Sequence, residues 1–270
     1  TVRKHLSRVK GGRLAEKLRA RTLTLAISDV AGGDPAIIAS GPTVPDPSTL
    51  ENTRRILGKH ALLTPDIETA LTRAGDTPKK GDACFANKDY RLIARPRDAL
   101  AAAAKIAAEA GITVTLLGDA LEGEARDLAR AHAALARAYQ GETPHLFLSG
   151  GEAAVTFEPG TASGEGGPNQ EYALALALAL EGAPNIYALA GDTDGNDGGK
   201  GRADDPAGAF VTPETCARAE AAGLSPQAAL AAHNSGGFFR ANGGLLITGP
   251  TFTNVNDFRA ILVLPPRPHS

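Results

Sequence analysis

The chain has 270 residues, of which 43% are hydrophobic, and it carries a formal net charge of −2. This length allows one large domain or two ordinary ones, and the absence of a basic excess excludes a general nucleic-acid binder. The longest apolar run, residues 172–180, is too short to cross a bilayer, so no membrane association is expected. Cys84 and Cys216 are far apart, which predicts two reduced thiols in the cytoplasm.

The first half of the chain alternates helices with strands. After a short helix over 12–20, the β-branched alternation of Thr22–Ile27 predicts a strand. The further predictions are helices over 48–58 and 65–74, a strand over 90–94, a helix over 97–110, a strand over 112–117 and a helix over 122–139. A β-α-β-α run of this kind is typical of a parallel sheet with helices on its faces.

A linker at 140–144 is predicted to precede a second α/β unit. We expect there two hairpin strands (145–148 and 153–157), a glycine-rich loop (160–167), a helix (169–180), a strand (186–190), two short helices (213–222 and 226–232) and two closing strands (245–248 and 258–264). The fold class is therefore α/β with two α/β domains, which we place at residues 1–128 and 144–265.

The most informative segment is the acidic loop DTDGNDGG at 192–199, directly after a predicted buried strand. In open α/β sheets, ligands bind outside the carboxyl ends of the strands. Asp192 and Asp194 are therefore candidate metal ligands, because Mg²⁺ is usually held by one or two carboxylates, water and substrate phosphate. The alternative is a solvated acidic turn. An EF-hand loop is excluded, because Asp197 occupies the position of its glycine.

Four further segments combine glycine with small polar residues, and each could instead be a structural turn. Glycine-bearing turns and helix N-termini can present backbone N–H groups to an anion. The candidate substrate- or phosphate-binding residues are Ser40, Gly41 and Thr43 in SGPT, Ser149, Gly150, Gly151 and Glu152 in SGGE, Gly166, Gly167 and Asn169 in GEGGPNQE, and Thr251 and Asn254 in TGPTFTNVND. For SGGE the structural alternative is a hairpin turn.

Several catalytic signatures are missing from this sequence. It contains no Walker A loop, no strand followed by G-x-G-x-x-G and no G-x-S-x-G elbow. The most economical chemistry is phosphoryl transfer from a metal-bound phosphorylated ligand, because this reaction depends on positioning and charge neutralisation more than on a covalent nucleophile.

Six motifs in a fixed order resemble the class II glycerate 2-kinases. They are LSRVKGGRLA, ISDVAGGDPAIIASGPTVPD, SGGE, GEGGPNQE, DTDGNDG and TGPTFTNVNDFRAILV. The C-terminal region of that family is called the MOFRL domain, and several members are named hydroxypyruvate reductase. The resemblance implies a Rossmann-like parallel-sheet domain, a MOFRL domain and an active site in the cleft. It also implies transfer of phosphate from ATP, with Mg²⁺, to the 2-hydroxyl of D-glycerate.

The resemblance places Asp29 and Asp194 in the active site, where Asp194 would bind metal or orient the glycerate hydroxyl and Asp29 would contact substrate or cation. The family's N-terminal third, with its Gly-Lys motif, has no counterpart here. Pro168 stands where the family usually has Arg, and Glu165 where a basic residue is common. These departures leave the loop without the two positive charges that the resemblance implies.

The expected partners are glycerate and a nucleotide, and a homodimer is left open. One alternative function is an NAD(P)H-dependent hydroxypyruvate reductase, against which the missing dinucleotide fingerprint argues. Another is a non-catalytic ligand-binding relative.

Overall fold

The computed structural model describes residues 1–158, 160 and 164–266. The chain divides into two compact units, Thr1–Arg95 and Pro96–Ser270. Within the described residues, the strands form one two-stranded and one six-stranded sheet. No helix in that part of the chain combines the length and the apolar character that a membrane span requires.

The first unit contains a short parallel sheet and its helices. Its elements are α1 (Val2–Leu6), α2 (Arg13–Lys17), β1 (Thr22–Ile27), α3 (Leu50–Lys59), α4 (Pro65–Ala74) and β2 (Lys88–Ala94). β1 and β2 pair in parallel. The predicted start of α4 at Pro65 is confirmed, and the Thr64 side chain caps this helix. α3 begins at Leu50 rather than at the predicted residue 48, because Thr49 and Asn52 form its capping box.

The second unit contains the larger sheet. Its helices are α5 (Pro96–Glu109), α6 (Ala125–Ala138), α7 (Pro168–Leu180), α8 (Thr215–Ala221), α9 (Pro226–Ala231) and α10 (Ser235–Asn242). Its strands are β3 (Thr113–Glu124), β4 (His145–Ala154), β5 (Ile186–Asp192), β6 (Gly208–Val211), β7 (Leu245–Leu246) and β8 (Asp257–Val263), in the spatial order β3-β4-β8-β5-β6-β7. β3 and β4 are parallel, and the other neighbours are antiparallel.

The predicted hairpin at 145–157 is wrong. Residues 145–154 form one strand, β4, and SGGE lies inside it. One edge of β4 pairs with β3 and the other with β8, so neither edge is free for a second hairpin strand. The partner β8 comes from more than 100 residues later in the chain, as the pairing of His145 with Val263 shows.

The core of the second unit is built around α7. Its alternating Ala and Leu residues are buried on all sides, because α7 contacts α6 and α8–α10 as well as β4, β5 and β6. A helix that is apolar all round belongs in a protein interior, so the helix prediction for this segment is confirmed. Sequence reasoning missed β6 and α10, both of which pack against α7.

The α/β fold class is confirmed, with a parallel sheet in the first unit and a mixed sheet in the second. The contact boundary lies at residues 95 and 96, because α5 and β3 pack with β4. The domain limits 1–128 and 144–265 concern family domains rather than contact units, and they stay a prediction.

Candidate active site

The acidic loop begins where β5 ends, so Asp192 is the last residue of a central strand of the sheet. The Asp192 N–H donates to the Ala207 carbonyl oxygen (2.8 Å), which fixes the start of the loop. The Asp194 N–H donates to Asp192 Oδ1 (2.9 Å), and the Asn196 N–H donates to Asp194 Oδ1 (2.7 Å). Two successive Asx turns therefore order the carboxylates of Asp192 and Asp194 at the strand end.

Asp192 is electrostatically unusual among acids at a strand end. Burial raises its pKa from 3.8 to about 7, and the carboxylates of Asp194, Asp257 and Asp197 add to the rise. The hydrogen bond from the Asp194 N–H opposes it. A half-buried carboxylate among like charges favours either a proton or a bound cation, which suits the predicted Asp192–Asp194 metal pair.

Metal binding here would have to rely on few protein ligands. In the described residues, no three His, Cys, Asp or Glu side chains converge as a metal-binding group. Magnesium sites of the kind that combine one or two carboxylates with water and substrate phosphate need no more than Asp192 and Asp194 provide. The role of this pair as metal ligands stays a prediction.

The side chain of Asp197, from the acidic loop, lies against the N-terminus of α7. Its carboxylate accepts the backbone N–H groups of Asn169 (2.9 Å) and Gln170 (2.8 Å), together with both side-chain amides. Asp197 is only 3% exposed; burial raises its pKa, and these four donors oppose the rise. The first residue of the helix, Pro168, has no N–H to donate. The next two backbone N–H groups, those of Asn169 and Gln170, are both bound by the Asp197 carboxylate and are not free for a ligand.

This arrangement bears on the predicted anion site at Gly166, Gly167 and Asn169. A Cβ on Gly167 would collide with Asp197, and one on Gly166 would collide with the start of α10. Both glycines therefore allow close approach of protein segments. An incoming phosphate would need donors other than the Asn169 and Gln170 N–H groups, so the role of these three residues stays a prediction.

Asp257 is a carboxylate next to Asp192 that was not among the candidate residues from the sequence. It pairs with Asp192 across β5 and β8 and with Gly151 across β4 and β8. It is 6% exposed; Oδ1 accepts from Asn169 Nδ2 (2.7 Å), and Oδ2 accepts from the Ala153 N–H (2.7 Å) and from Arg259. Asp257 thus links the end of β4 to the start of α7.

Arg259 balances this charge inside the protein. Its guanidinium, only 1% exposed, pairs with Asp257 and lies 5.4 Å from the centre of the Tyr172 ring. The Tyr172 hydroxyl is hydrogen-bonded to His132 Nδ1 (2.8 Å), and burial with the nearby Arg259 charge lowers the pKa of His132 to about 4. His132 is therefore neutral at physiological pH.

The SGGE residues lie in β4 next to these groups. Ser149 and Gly150 are buried, Glu152 is exposed, and the Gly150 carbonyl oxygen is 3.5 Å from Arg259 Nη1. Gly151 has φ 118°, and a Cβ there would collide with the backbone of Leu121. The glycine is thus needed for the close approach of β3, while direct ligand contact by these four residues stays a prediction.

The TGPTFTN loop is held against the acidic loop. The Thr251 N–H donates to the Asp194 carbonyl oxygen (3.0 Å) and the Thr251 hydroxyl to the Thr193 carbonyl oxygen (2.5 Å). Asn254 Oδ1 accepts the Asn256 N–H (2.7 Å). The structure therefore brings Thr251 close to Asp194, while ligand contact by Thr251 and Asn254 stays a prediction.

In the first unit, Asp29 is exposed just after β1, and buried Ser28 binds the Val30 N–H through its hydroxyl (3.0 Å). In the SGPT turn, the Ser40 and Gly41 N–H groups donate to Ile37 and Ile38 carbonyl oxygens (2.8 Å each), and Thr43 accepts from Thr24 (2.8 Å). The turn is thus well ordered by its own contacts. Substrate contacts by these residues and by Asp29 stay predictions.

The fold is that of an α/β protein with a pair of carboxylates at the end of a central strand of its larger sheet. Residues 145–257 match the MOFRL family model, and residues 1–72 match a domain of unknown function, DUF4147. The chain is 48% identical over 270 residues to a protein of Agrobacterium vitis named "Putative hydroxypyruvate reductase", covering 97% of this chain and 60% of that protein.

A D-glycerate 2-kinase of Thermotoga maritima is 36% identical, with 95% of this chain and 60% of that protein covered. The crystal structure of a glycerate kinase from T. maritima matches with a TM-score of 0.85 at 35% identity, covering 97% of this chain and 62% of that one. The chain belongs to the glycerate 2-kinase family with a MOFRL domain, some of whose members are named hydroxypyruvate reductase.

The chain spans 60% of the length of these A. vitis and T. maritima relatives.

Proposed function

We propose that this chain contributes the acidic part of the active site of an ATP- and Mg²⁺-dependent glycerate 2-kinase. The observation that carries the proposal is the ordered pair Asp192 and Asp194 at the end of β5, with the pKa of Asp192 raised to about 7. The names of its relatives give the substrate: D-glycerate 2-kinase for the T. maritima protein.

In this proposal the 2-hydroxyl oxygen of D-glycerate attacks the γ-phosphorus of ATP, the bond to the bridging oxygen breaks, and ADP leaves. Asp194 orients the hydroxyl, and the hydroxyl proton passes to a carboxylate oxygen of the pair that does not bind the metal. Bound Mg²⁺ would neutralise charge on the transferring phosphoryl group, with Asp192 and Asp194 as its ligands. Glycerate and a nucleotide are thus the proposed partners.

The test is ADP release on mixing the protein with D-glycerate, ATP and Mg²⁺, with T. maritima D-glycerate 2-kinase as the positive control. Coupling to enolase identifies the product, because enolase consumes 2-phosphoglycerate and not the 3-phosphate. We expect Asp194→Asn to lose turnover. The matched control is Asp204→Asn, because Asp204 lies in the same loop but is exposed and paired with Arg202. Full Mg²⁺-dependent turnover by Asp194→Asn would refute the role of Asp194.

The second candidate is an NAD(P)H-dependent hydroxypyruvate reductase, favoured by the name of the A. vitis relative. Loss of NADH or NADPH absorbance on adding hydroxypyruvate, without ADP release in the kinase assay, would support it. If neither reaction occurs and calorimetry still detects nucleotide binding, the third candidate, a non-catalytic ligand-binding relative, is supported.

A further inference from the structure

Phe252 is the most exposed large hydrophobic residue among the described part of the chain, with 95% of its surface accessible. Its backbone has φ 58°, in the left-handed region that non-glycine residues seldom adopt. An aromatic ring held fully in solvent on strained backbone is unfavourable for an isolated protein. Outliers of this kind cluster at sites that bind ligands.

The position of Phe252 is fixed by its neighbours. The preceding residue, Thr251, is hydrogen-bonded to the Asp194 and Thr193 carbonyl oxygens. The two loops also meet at Gly195, where a Cβ would collide with the Gly249 carbonyl oxygen, so only glycine fits. Phe252 therefore stands on the loop that is anchored directly to the proposed Asp192–Asp194 site, with its ring directed into solvent.

We infer that the Phe252 ring is a stacking platform for the base of the nucleotide. This inference rests on the proposed function and adds a specific contact to it. Glycerate is small and polar and offers no flat apolar surface, whereas a purine base has two. Stacking tolerates different bases, because each has a π face. The ring therefore favours nucleotides over base-free phosphates and discriminates little between adenine and guanine.

The sequence contains no tryptophan, so Phe252→Trp creates a single fluorescent reporter at this position. Titration with ADP and with GDP is expected to quench it, and titration with tripolyphosphate or D-glycerate is not. Phe210→Trp is the matched control, since Phe210 is partly exposed on β6 and is expected to show no response. Equal quenching by tripolyphosphate, or a response in the control variant alone, would overturn the inference.

Phe252→Ala gives the second measurement. Loss of one base–aromatic stack is expected to weaken ADP binding and raise KM for ATP by roughly 5- to 150-fold. The kcat and the KM for glycerate should stay unchanged, and Phe252→Tyr should restore the KM for ATP.

Calorimetry separates two kinds of failure. If ADP binds the unmodified protein and Phe252→Ala equally well, this inference is wrong while the proposed function stands. If ADP does not bind the unmodified protein at all, the proposed function fails and this inference fails with it.

Discussion

Asp192→Asn should make the protein more stable at alkaline pH. Burial is the main reason that the pKa of Asp192 rises from 3.8 to about 7. Without solvent screening, such a rise corresponds to a cost of about 4 kcal/mol once the carboxylate is ionised. Asp192 is only half-buried, so we reduce this to about 1–2 kcal/mol. The asparagine keeps an oxygen that can accept the Asp194 N–H and removes the charge.

The destabilisation caused by ionised Asp192 must increase with pH. The folded-state pKa lies above the unfolded value, so the cost is absent below about pH 4, grows as the pH rises, and is complete above about pH 7. Urea unfolding followed by circular dichroism at pH 5 and pH 8, with EDTA present, measures it. Asp204→Asn is the exposed control and should change nothing. The reasoning would be refuted if Asp192→Asn and the unmodified protein had equal unfolding free energies at pH 8, or if they differed by the same amount at both pH values.

Three further predictions concern the buried groups behind the site. Asp257→Ala leaves the Arg259 charge unpaired in the interior and should lower the unfolding free energy by about 3–5 kcal/mol, as measured by urea unfolding. Gly151→Ala should lower the unfolding free energy by about 3 kcal/mol or more, because its Cβ would collide with the backbone of β3 and its φ is positive. Gly223→Ala, also at positive φ but in open space, should cost only about 1 kcal/mol. The His132 ring should stay neutral between pH 5 and 8 in an NMR titration, and a midpoint near 6.5 would contradict its burial.

The elements that sequence reasoning located well are those with signals close by in the chain. α4 starts at Pro65, as predicted, and α3 starts two residues after its predicted start because Thr49 is the residue that caps it. Such caps act within three or four residues, so they can be read without knowing the fold.

The elements that were missed depend on distant partners. SGGE has the composition of a turn, and only β8, far along the chain, keeps it extended as part of β4. The short strand β6 lies in what looks like a continuous acidic loop, and it forms because β5 and β7 provide its hydrogen-bond partners. Strand pairing of this kind has no local sequence signal.

The residues of the candidate site likewise divide into those with a local sequence signal and those that depend on distant partners. The candidate ligands Asp192 and Asp194 could be found because they directly follow a strand. Asp197 and Asp257 could not be assigned, because their roles depend on α7 and on the pairing of β8. One signal was available: Asp257 and Arg259 are two residues apart on a strand and so must face the same side.

The place of β8 in the sheet has a consequence for how the protein is made. Among the described residues, β8 follows all the other strands of its sheet in the sequence, yet it lies between β4 and β5. The chain is synthesised at about 5–20 residues per second, so the edges of β4 and β5 that pair with β8 stay unpaired for several seconds. Unpaired strand edges are prone to aggregate, so nascent chains that stop before Asp257 should depend on chaperones that chains containing β8 no longer need.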